Sequence, residues 1–384
     1  MKTVSILGST GSVGRSTIDL ITGHRDKFKV VALTANKNVS LLAQQARDLD
    51  AEYAVIADES LYGDLKRALE GTKIKAETGH QAVVNAAGIP ADWIMAAIVG
   101  AAGVESTLRA IKQGTTVALA NKESLVCAGP FMMDAVEKHG TTLLPVDSEH
   151  NAVFQVLNPK QLSQVKRIIL TASGGPFLRK NRAELDDITP EQAVKHPTWS
   201  MGMKISIDSA TMMNKSLEII EASYLFKAKS ENIEVLIHPQ SVVHSMVEYI
   251  DGSILSQMGA PDMRTPIAHT LAWPERITTT GDTLNLNNNF KLSFEPIDIK
   301  RFPSIMLARK VLNASSGAPT VFNAANEAAV ASFLSRRLKF SEIESVVDEV
   351  LQTAHIQPIS SLDDVFQIDL DARRIAEKLI AGVN

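Results

Sequence analysis

The run Asp147-Ser148-Glu149-His150-Asn151, set against Glu218 in the later segment Asn214-Lys215-Ser216-Leu217-Glu218, has the residue types of a divalent-cation site. Three carboxylates make an all-oxygen donor set, which suits Mg2+ or Mn2+ and not Zn2+. Asp147 and Glu149 stand two apart where the apolar stretch Leu143-Leu144-Pro145-Val146 ends. Side chains two apart on a strand share a face, so both are expected to reach one ion, with Glu218 arriving from another segment. Taken alone, two such acids more often face solvent or cap a helix. The serine, asparagine and lysine among them add donors for a phosphorylated or polyhydroxylated substrate, and that context reverses the reading.

Thr171-Ala172-Ser173-Gly174-Gly175-Pro176 follows an expected strand with small residues whose hydroxyls and backbone N–H groups can cradle a phosphate. Ser209, Asn214 and Lys215 offer further donors; for Asn214 and Lys215 the plainer reading is a solvated helix start. His196-Pro197-Thr198-Trp199-Ser200-Met201-Gly202-Met203 sets Trp and Met between Pro and Gly in polar surroundings. It reads either as a lid that excludes water over a substrate or as a loop that tucks Trp199 into the core. His238 and His244 read as strand or turn residues, not ligands.

At the front of the chain, Gly8-Ser9-Thr10-Gly11-Ser12-Val13-Gly14 has the spacing GxxGxxG. Glycines allow a tight turn and let a pyrophosphate approach the backbone, and the following helix presents free N–H groups and a positive dipole end. The loop follows a strand and opens a helix, the context such a motif needs. NAD-binding chains end the second strand with an acid, about 20 residues after the loop. Here the strand Val30–Leu33 runs into Thr34-Ala35-Asn36-Lys37-Asn38, with a lysine and no acid. Lys37 with two Asn amides can hold a 2′-phosphate, so NADPH is the expected cofactor.

These residues need a scaffold that brings distant segments together. The chain has 384 residues, enough for two or three domains. Hydrophobic content of 45% and charged content of 21% are globular values. A net charge of −4 leaves no basic footprint for nucleic acid, and 5% aromatic content argues against a base-stacking surface. The single cysteine, Cys127, sits among Leu125, Val126 and Ala128 and reads as a buried structural thiol. With no signal-peptide pattern and no apolar stretch near the roughly 20 residues of a membrane span, a soluble cytoplasmic protein is expected.

Strands are expected at Val4–Leu7, Val30–Leu33, Tyr53–Ala57, Trp93–Val99 and Thr116–Leu119, separated by helices, one of them carrying Ile18, Leu20 and Ile21. That alternation implies a parallel, doubly wound sheet. Further strands are expected at Arg167–Leu170, Val235–Ile237 and Val242–Ile250, continuing into Ile254-Leu255. Thr278–Asn289 is polar, with Gly281 and Asn287-Asn288-Asn289, and reads as a linker or exposed arm. From Pro303 about four helices fit, and Ser341-Glu342-Ile343-Glu344 has capping-box spacing. The expected fold class is α/β: an N-terminal Rossmann-like NADPH domain over 1–147, a central α+β catalytic domain with an open sheet over 148–275, a linker over 276–300 and a C-terminal α-helical bundle over 301–384. An open sheet of this kind can support a dimer.

Together, Gly8–Gly14, Asn121-Lys122-Glu123, Asp147–Asn151, Thr171–Pro176, His196–Gly202 and Asn214–Glu218 resemble the 1-deoxy-D-xylulose 5-phosphate reductoisomerase family, along essentially the whole chain. The resemblance implies NADPH- and metal-dependent (Mg2+, Mn2+ or Co2+) conversion of 1-deoxy-D-xylulose 5-phosphate to 2-C-methyl-D-erythritol 4-phosphate, by a homodimer. Carried over by motif, Asp147, Glu149 and Glu218 ligate the metal. Lys122, Ser148, Glu149 and Asn214 contact the oxygenated carbons of the substrate, and Ser173, Ser209, Asn214 and Lys215 hold its phosphate while His196 closes over it. Lys122, Glu149 and His196 are the implied catalytic set, and Trp199 and Met201 belong to the flap. Thr10, Gly11, Ser12, Val13, Asn36, Lys37, Asn38, Asn121, Glu123 and Gly202 line the NADPH site.

Two rivals remain on sequence grounds. A semialdehyde-type NADP dehydrogenase shares the glycine spacing but needs a reactive cysteine. A non-catalytic NADPH-sensing protein would bind the cofactor without metal-dependent turnover.

Overall fold

Near-continuous apolar runs form most strands of the first sheet, because strands covered by helices on both faces have no solvent side to mark with polar residues. In the computed structural model, which describes residues 1–199, 201–287 and 291–383, these are β1 (Lys2–Leu7), β2 (Phe28–Ala35), β3 (Tyr53–Ile56), β4 (Lys75–Thr78), β5 (Trp93–Ala96), β6 (Thr116–Leu119) and β7 (Thr142–Pro145). Their spatial order is β4-β3-β2-β1-β5-β6-β7, with every neighbour parallel. The order reverses between β1 and β5, and in open sheets of this kind ligands bind beyond the carboxyl ends of the strands at such a switch point.

The fifth strand stops at Ala96 and not at Val99: Val99 is 71% exposed, on the loop that leaves the switch point. Edge strand β4, Lys-Ala-Glu-Thr, carries no apolar run and was not legible in the sequence.

The chain divides into two compact units, one of Met1–Ser124, Met132–Asn151 and Asp262–Asp282, the other of Leu125–Phe131, Ala152–Pro261 and Thr283 onward. These divisions fall elsewhere than at 147/148 and 275/276. In the first unit, helix Arg264–Ala272 sends Ile267, Ala268 and Leu271 into the same core as Val4, Ile6, Leu33 and Trp93. Lys2 Nζ donates to Leu271 O at 3.0 Å, tying the first strand to that helix. The segment from Thr278 to Asp282 therefore begins as part of this unit. His24 Nε2 contacts Thr278 O at 2.9 Å, and Thr280 Oγ1 donates to Asp19 at 2.8 Å. Asn288 and Asn289 of the polar run, and Ser200, lie outside the described residues.

The second unit is built on β8 (Val165–Ala172), β9 (Ile233–Ile237), β10 (Val243–Tyr249), β11 (Ile254–Met258) and β12 (Glu295–Pro296), ordered β11-β10-β8-β9-β12. Only the β8–β9 pair is parallel. At the edge, β11 leaves Ile254, Leu255 and Met258 exposed. Leu170 and Val247 of the sheet share one core with Ile219 and Ile220 of helix Met213–Leu225 and with the helices Ser304–Leu312, Ala318–Leu334, Ile343–Thr353 and Leu362–Val383. The central sheet and the C-terminal helices thus form one body. Alanines 324, 325, 328 and 329 let helix Ala318–Leu334 approach its neighbours closely.

At the Ser341–Glu344 spacing it is Glu342 that makes the reverse cap bond, accepting from Lys339 N at 2.8 Å, because a 3-10 turn over Phe340–Glu342 precedes the helix. Among the described residues, no helix is long and apolar enough to cross a membrane.

Candidate active site

Asp147 follows β7, and Ser148 begins helix Ser148–Val156. The expectation that Asp147 and Glu149 share a strand face is therefore corrected: Glu149 lies in the first helical turn. The two carboxylates still converge, each offering an oxygen within 4.8 Å of the other, because a strand end and a first helical turn point toward the same opening. Ser148 Oγ donates to Glu149 Oε2 at 2.5 Å. Lys122 opens helix Lys122–His139 and forms an ion pair with Asp147 Oδ2; both side chains are largely buried. His150 Nδ1 lies 3.7 Å from the same oxygen. Burial by itself would raise the Asp147 carboxyl, but the Lys122 ammonium and His150 outweigh it and hold the group well below the usual carboxylate range.

Asn121 caps the lysine's helix through Ser124 N at 3.0 Å, and its amide donates to Gly100 O at 3.0 Å and to Ile98 O. Asn121 thus fastens Lys122 to the loop after β5. Glu123, beside it, is buried.

The glycine loop occupies the switch point. Gly8 has φ +89°, and a Cβ there would stand 2.7 Å from Ala97 O, the chain leaving β5. A Cβ on Gly14 would collide with the Gly8 carbonyl. Gly8 N donates to Thr34 Oγ1 at 3.0 Å and Ser9 N to Thr34 O at 2.8 Å, locking the turn onto β2. Helix Ser12–Thr22 has no side-chain cap at Gly11, so its first N–H groups stay available to an anion beside Thr10, Gly11, Ser12 and Val13. Asn36, Lys37 and Asn38 are exposed at the end of β2. An acid does come near Lys37, from the end of β3: Asp58 is 3.9 Å away, although its carboxylate is engaged by Ser60. The tight turn, the open helix start and the exposed lysine fit a dinucleotide, and the oxygen donors fit a hard divalent cation.

In the second unit, Gly174 and Gly175 both have positive φ, and a Cβ on Gly175 would stand 2.8 Å from Ala210 Cα and Ser209 O. Only glycine lets the loop after β8 lie against helix Met203–Ala210, which brings Ser173 beside the helix carrying Ser209. Ser173 Oγ contacts His196 Nε2 at 2.9 Å. His196 Nδ1 receives the backbone N–H of Thr198 and Trp199, and the Trp199 ring lies 6.0 Å from that of His244 in β10. Trp199 is thus half-buried against the sheet, while Gly202 is exposed as the N-cap of helix Met203–Ala210.

Met212, at φ +62°, forms the elbow into helix Met213–Leu225, which presents Asn214, Lys215 and Glu218. Both Glu218 oxygens are held, one by Asn214 Nδ2 at 2.5 Å and the other by the Lys215 ammonium. His238 stacks on Phe294 and binds Ser293 O at 2.8 Å, a structural histidine. Cys127 is fully buried. Sequence reasoning assigned no role to His150 or Asn151, although both lie inside the acidic run.

A glycine turn at the switch point of a parallel sheet, and paired carboxylates beside a lysine ammonium, define a nicotinamide-dependent oxidoreductase with a site for a hard divalent cation. Three family models match in succession: 1-deoxy-D-xylulose 5-phosphate reductoisomerase over residues 4–129, its C-terminal domain over 143–226 and a further DXP reductoisomerase C-terminal domain over 258–375. The chain belongs to the 1-deoxy-D-xylulose 5-phosphate reductoisomerase family. The enzyme of that name from Zymomonas mobilis is 56% identical over 384 residues, covering 100% of this chain and 98% of the relative. That of Rhodospirillum centenum is 55% identical over 382 residues, covering 100% and 95%.

Among solved structures, the Zymomonas mobilis enzyme in complex with NADPH matches with a TM-score of 0.94 at 54% identity, covering 99% of both chains. A DOX-P reductoisomerase in complex with NADPH, fosmidomycin and magnesium matches with a TM-score of 0.94 at 39% identity, covering 99% of this chain and 98% of the other.

Proposed function

We propose that this chain converts 1-deoxy-D-xylulose 5-phosphate to 2-C-methyl-D-erythritol 4-phosphate with NADPH and a divalent cation, in isoprenoid precursor biosynthesis. Membership of the family carries the reading, supported by the pairing of Lys122 with Asp147 beside Glu149. When bound, the cation supplies Lewis-acid stabilisation of developing negative charge and NADPH supplies the hydride.

Asp147, Glu149 and Glu218 are the proposed cation ligands. Lys122 is a buried ammonium with hydrogen to donate, and it serves the substrate oxygens on which charge grows. The Ser148 hydroxyl donates a hydrogen bond to Glu149 Oε2 in this structure and so helps to keep that carboxylate in place. Asn214 and Lys215 hold Glu218 here, and in the working site they turn to the substrate's oxygens and phosphate alongside Ser173 and Ser209. Binding the phosphate, a group that takes no part in the bond changes, lets remote binding energy orient the reacting carbons. His196, already bonded to Ser173, closes the phosphate end, and Trp199 with Met201 shields the reacting carbons from water. Thr10–Val13, Asn36–Asn38, Asn121, Glu123 and Gly202 form the proposed NADPH contacts. A homodimer working in the cytoplasm completes the reading.

The test is loss of NADPH absorbance when the protein is incubated with 1-deoxy-D-xylulose 5-phosphate and Mg2+. Substrate-dependent loss abolished by EDTA is expected. Folded protein that binds NADPH and shows no turnover would sink the reading in favour of a cofactor sensor. The semialdehyde-dehydrogenase reading loses its nucleophile, because Cys127 is buried.

A further inference from the structure

His269 lies 118 residues along the chain from Asn151, on helix Arg264–Ala272, and is 5% exposed. Its Nδ1 is 3.1 Å from Asn151 Nδ2, and the same amide nitrogen donates to Pro145 O at 2.9 Å. A carbonyl can only accept, so the Pro145 contact fixes the amide with its nitrogen toward both partners. The histidine must then accept at Nδ1 and carry its proton on Nε2. Burial, and then the Arg276 charge, push the imidazole down to about 4, so the neutral form this contact needs is the one present at neutral pH. The Trp273 ring stands edge-on to His269, 5.4 Å between centroids at 72°, and braces it.

Pro145 is the last residue of β7, two before Asp147, and Asn151 is two after Glu149. One amide therefore bridges both flanks of the turn that presents the two carboxylates, and a histidine from a distant helix orients that amide. We propose that His269 is a positioning residue for the divalent-cation site, acting through the Asn151 amide to hold Asp147 and Glu149 in their ligating geometry. The inference rests on the proposed ligand role of those two carboxylates. Partners in this outer position typically shift metal affinity by about 10- to 100-fold.

The experiment titrates the purified full chain with Mn2+, reading free Mn2+ by electron paramagnetic resonance, and in parallel titrates NADPH by fluorescence. His269→Leu should weaken Mn2+ binding by about 10-fold or more. His269→Asn, whose amide oxygen can accept where Nδ1 did, should stay within about threefold of the parent. NADPH binding, made by the same unit, should be unchanged in both. Asn151→Ala should weaken Mn2+ binding like His269→Leu, and the double variant should be no weaker than Asn151→Ala alone, because one residue acts through the other.

Additive losses, an unchanged His269→Leu, or equal losses in His269→Asn and His269→Leu would overturn the proposal. If His269→Leu does not fold, the comparison of Asn151→Ala with the parent, and of His269→Asn with both, still decides it. Asp147→Asn is the control. If it binds Mn2+ like the parent, the cation-site reading fails and the proposal with it; if it loses Mn2+ while His269→Leu does not, the proposal alone fails.

Discussion

His196 and Ser173 are joined by a 2.9 Å contact whose direction is set from the other side of the ring. Nδ1 is occupied as an acceptor by the N–H groups of Thr198 and Trp199, so Nε2 carries the proton and donates to the serine hydroxyl. The segment that carries Trp199 is therefore folded around a neutral imidazole.

Acid should loosen that segment. Burial lowers the His196 pKa below its ordinary value of 6.5. A group with a depressed folded-state value binds its proton more readily when the segment is released. Its stabilising contribution is thus complete above 6.5 and is lost as pH falls through that value toward the lower folded one. The KM for the substrate should rise as pH falls from about 7.5 to 5.5, with NADPH affinity nearly constant. His196→Gln should flatten this rise; a profile identical to the parent's would show that another group titrates.

Lys122 should separate catalysis from cation binding. Lys122→Gln removes the ammonium from Asp147, and burial then pushes that carboxyl up. Turnover should fall by roughly 100-fold or more, the scale of a lost transition-state donor. Mn2+ affinity at pH 8 should not weaken, because a competing positive charge has gone. A parallel loss of both would mean that Lys122 acts by shaping the carboxylates and not by serving the substrate.

Cofactor choice should follow Lys37. Lys37→Asp places a second carboxylate near Asp58, 3.9 Å from the present ammonium. KM for NADPH should rise by about 10-fold or more while KM for NADH changes little, since only the 2′-phosphate is repelled. Steady-state kinetics with both cofactors decide it, and an unchanged preference would assign the 2′-phosphate to another residue.

Gly8→Ala should damage cofactor binding and stability together. The new Cβ would meet Ala97 O at 2.7 Å with φ at +89°, and neither the strand end nor the backbone can yield cheaply. A loss of about 1–3 kcal/mol is expected in a thermal melt, with weaker NADPH binding. A variant as stable as the parent would mean that the turn has room the geometry does not show.

The central strands, the glycine loop and the four C-terminal helices were legible because each is written locally, in apolar runs, turn residues or helical periodicity. Two of the edge strands were not: β4, Lys-Ala-Glu-Thr, has no apolar run and lies partly exposed, and β12 is only two residues long. The membership of Asp262–Asp282 in the first unit was hidden as well, since nothing in Ile267, Ala268 or Leu271 says which sheet they cover.

By itself the sequence determined the chemistry available to this protein: oxygen ligands in place of sulfur, a lysine where NAD enzymes place an acid, and glycines where a backbone must pass close to another. Residue type settles such matters, because donor hardness, charge and the absence of a Cβ are properties of single side chains. Only the tertiary structure decided the partners. It placed Glu149 in a helical turn and not on a strand, gave the Asp147 carboxylate to Lys122, and oriented the Asn151 amide with a histidine 118 residues away. The last two are pairings between separated segments, set by how helices and sheets pack, and no local pattern in the chain encodes them.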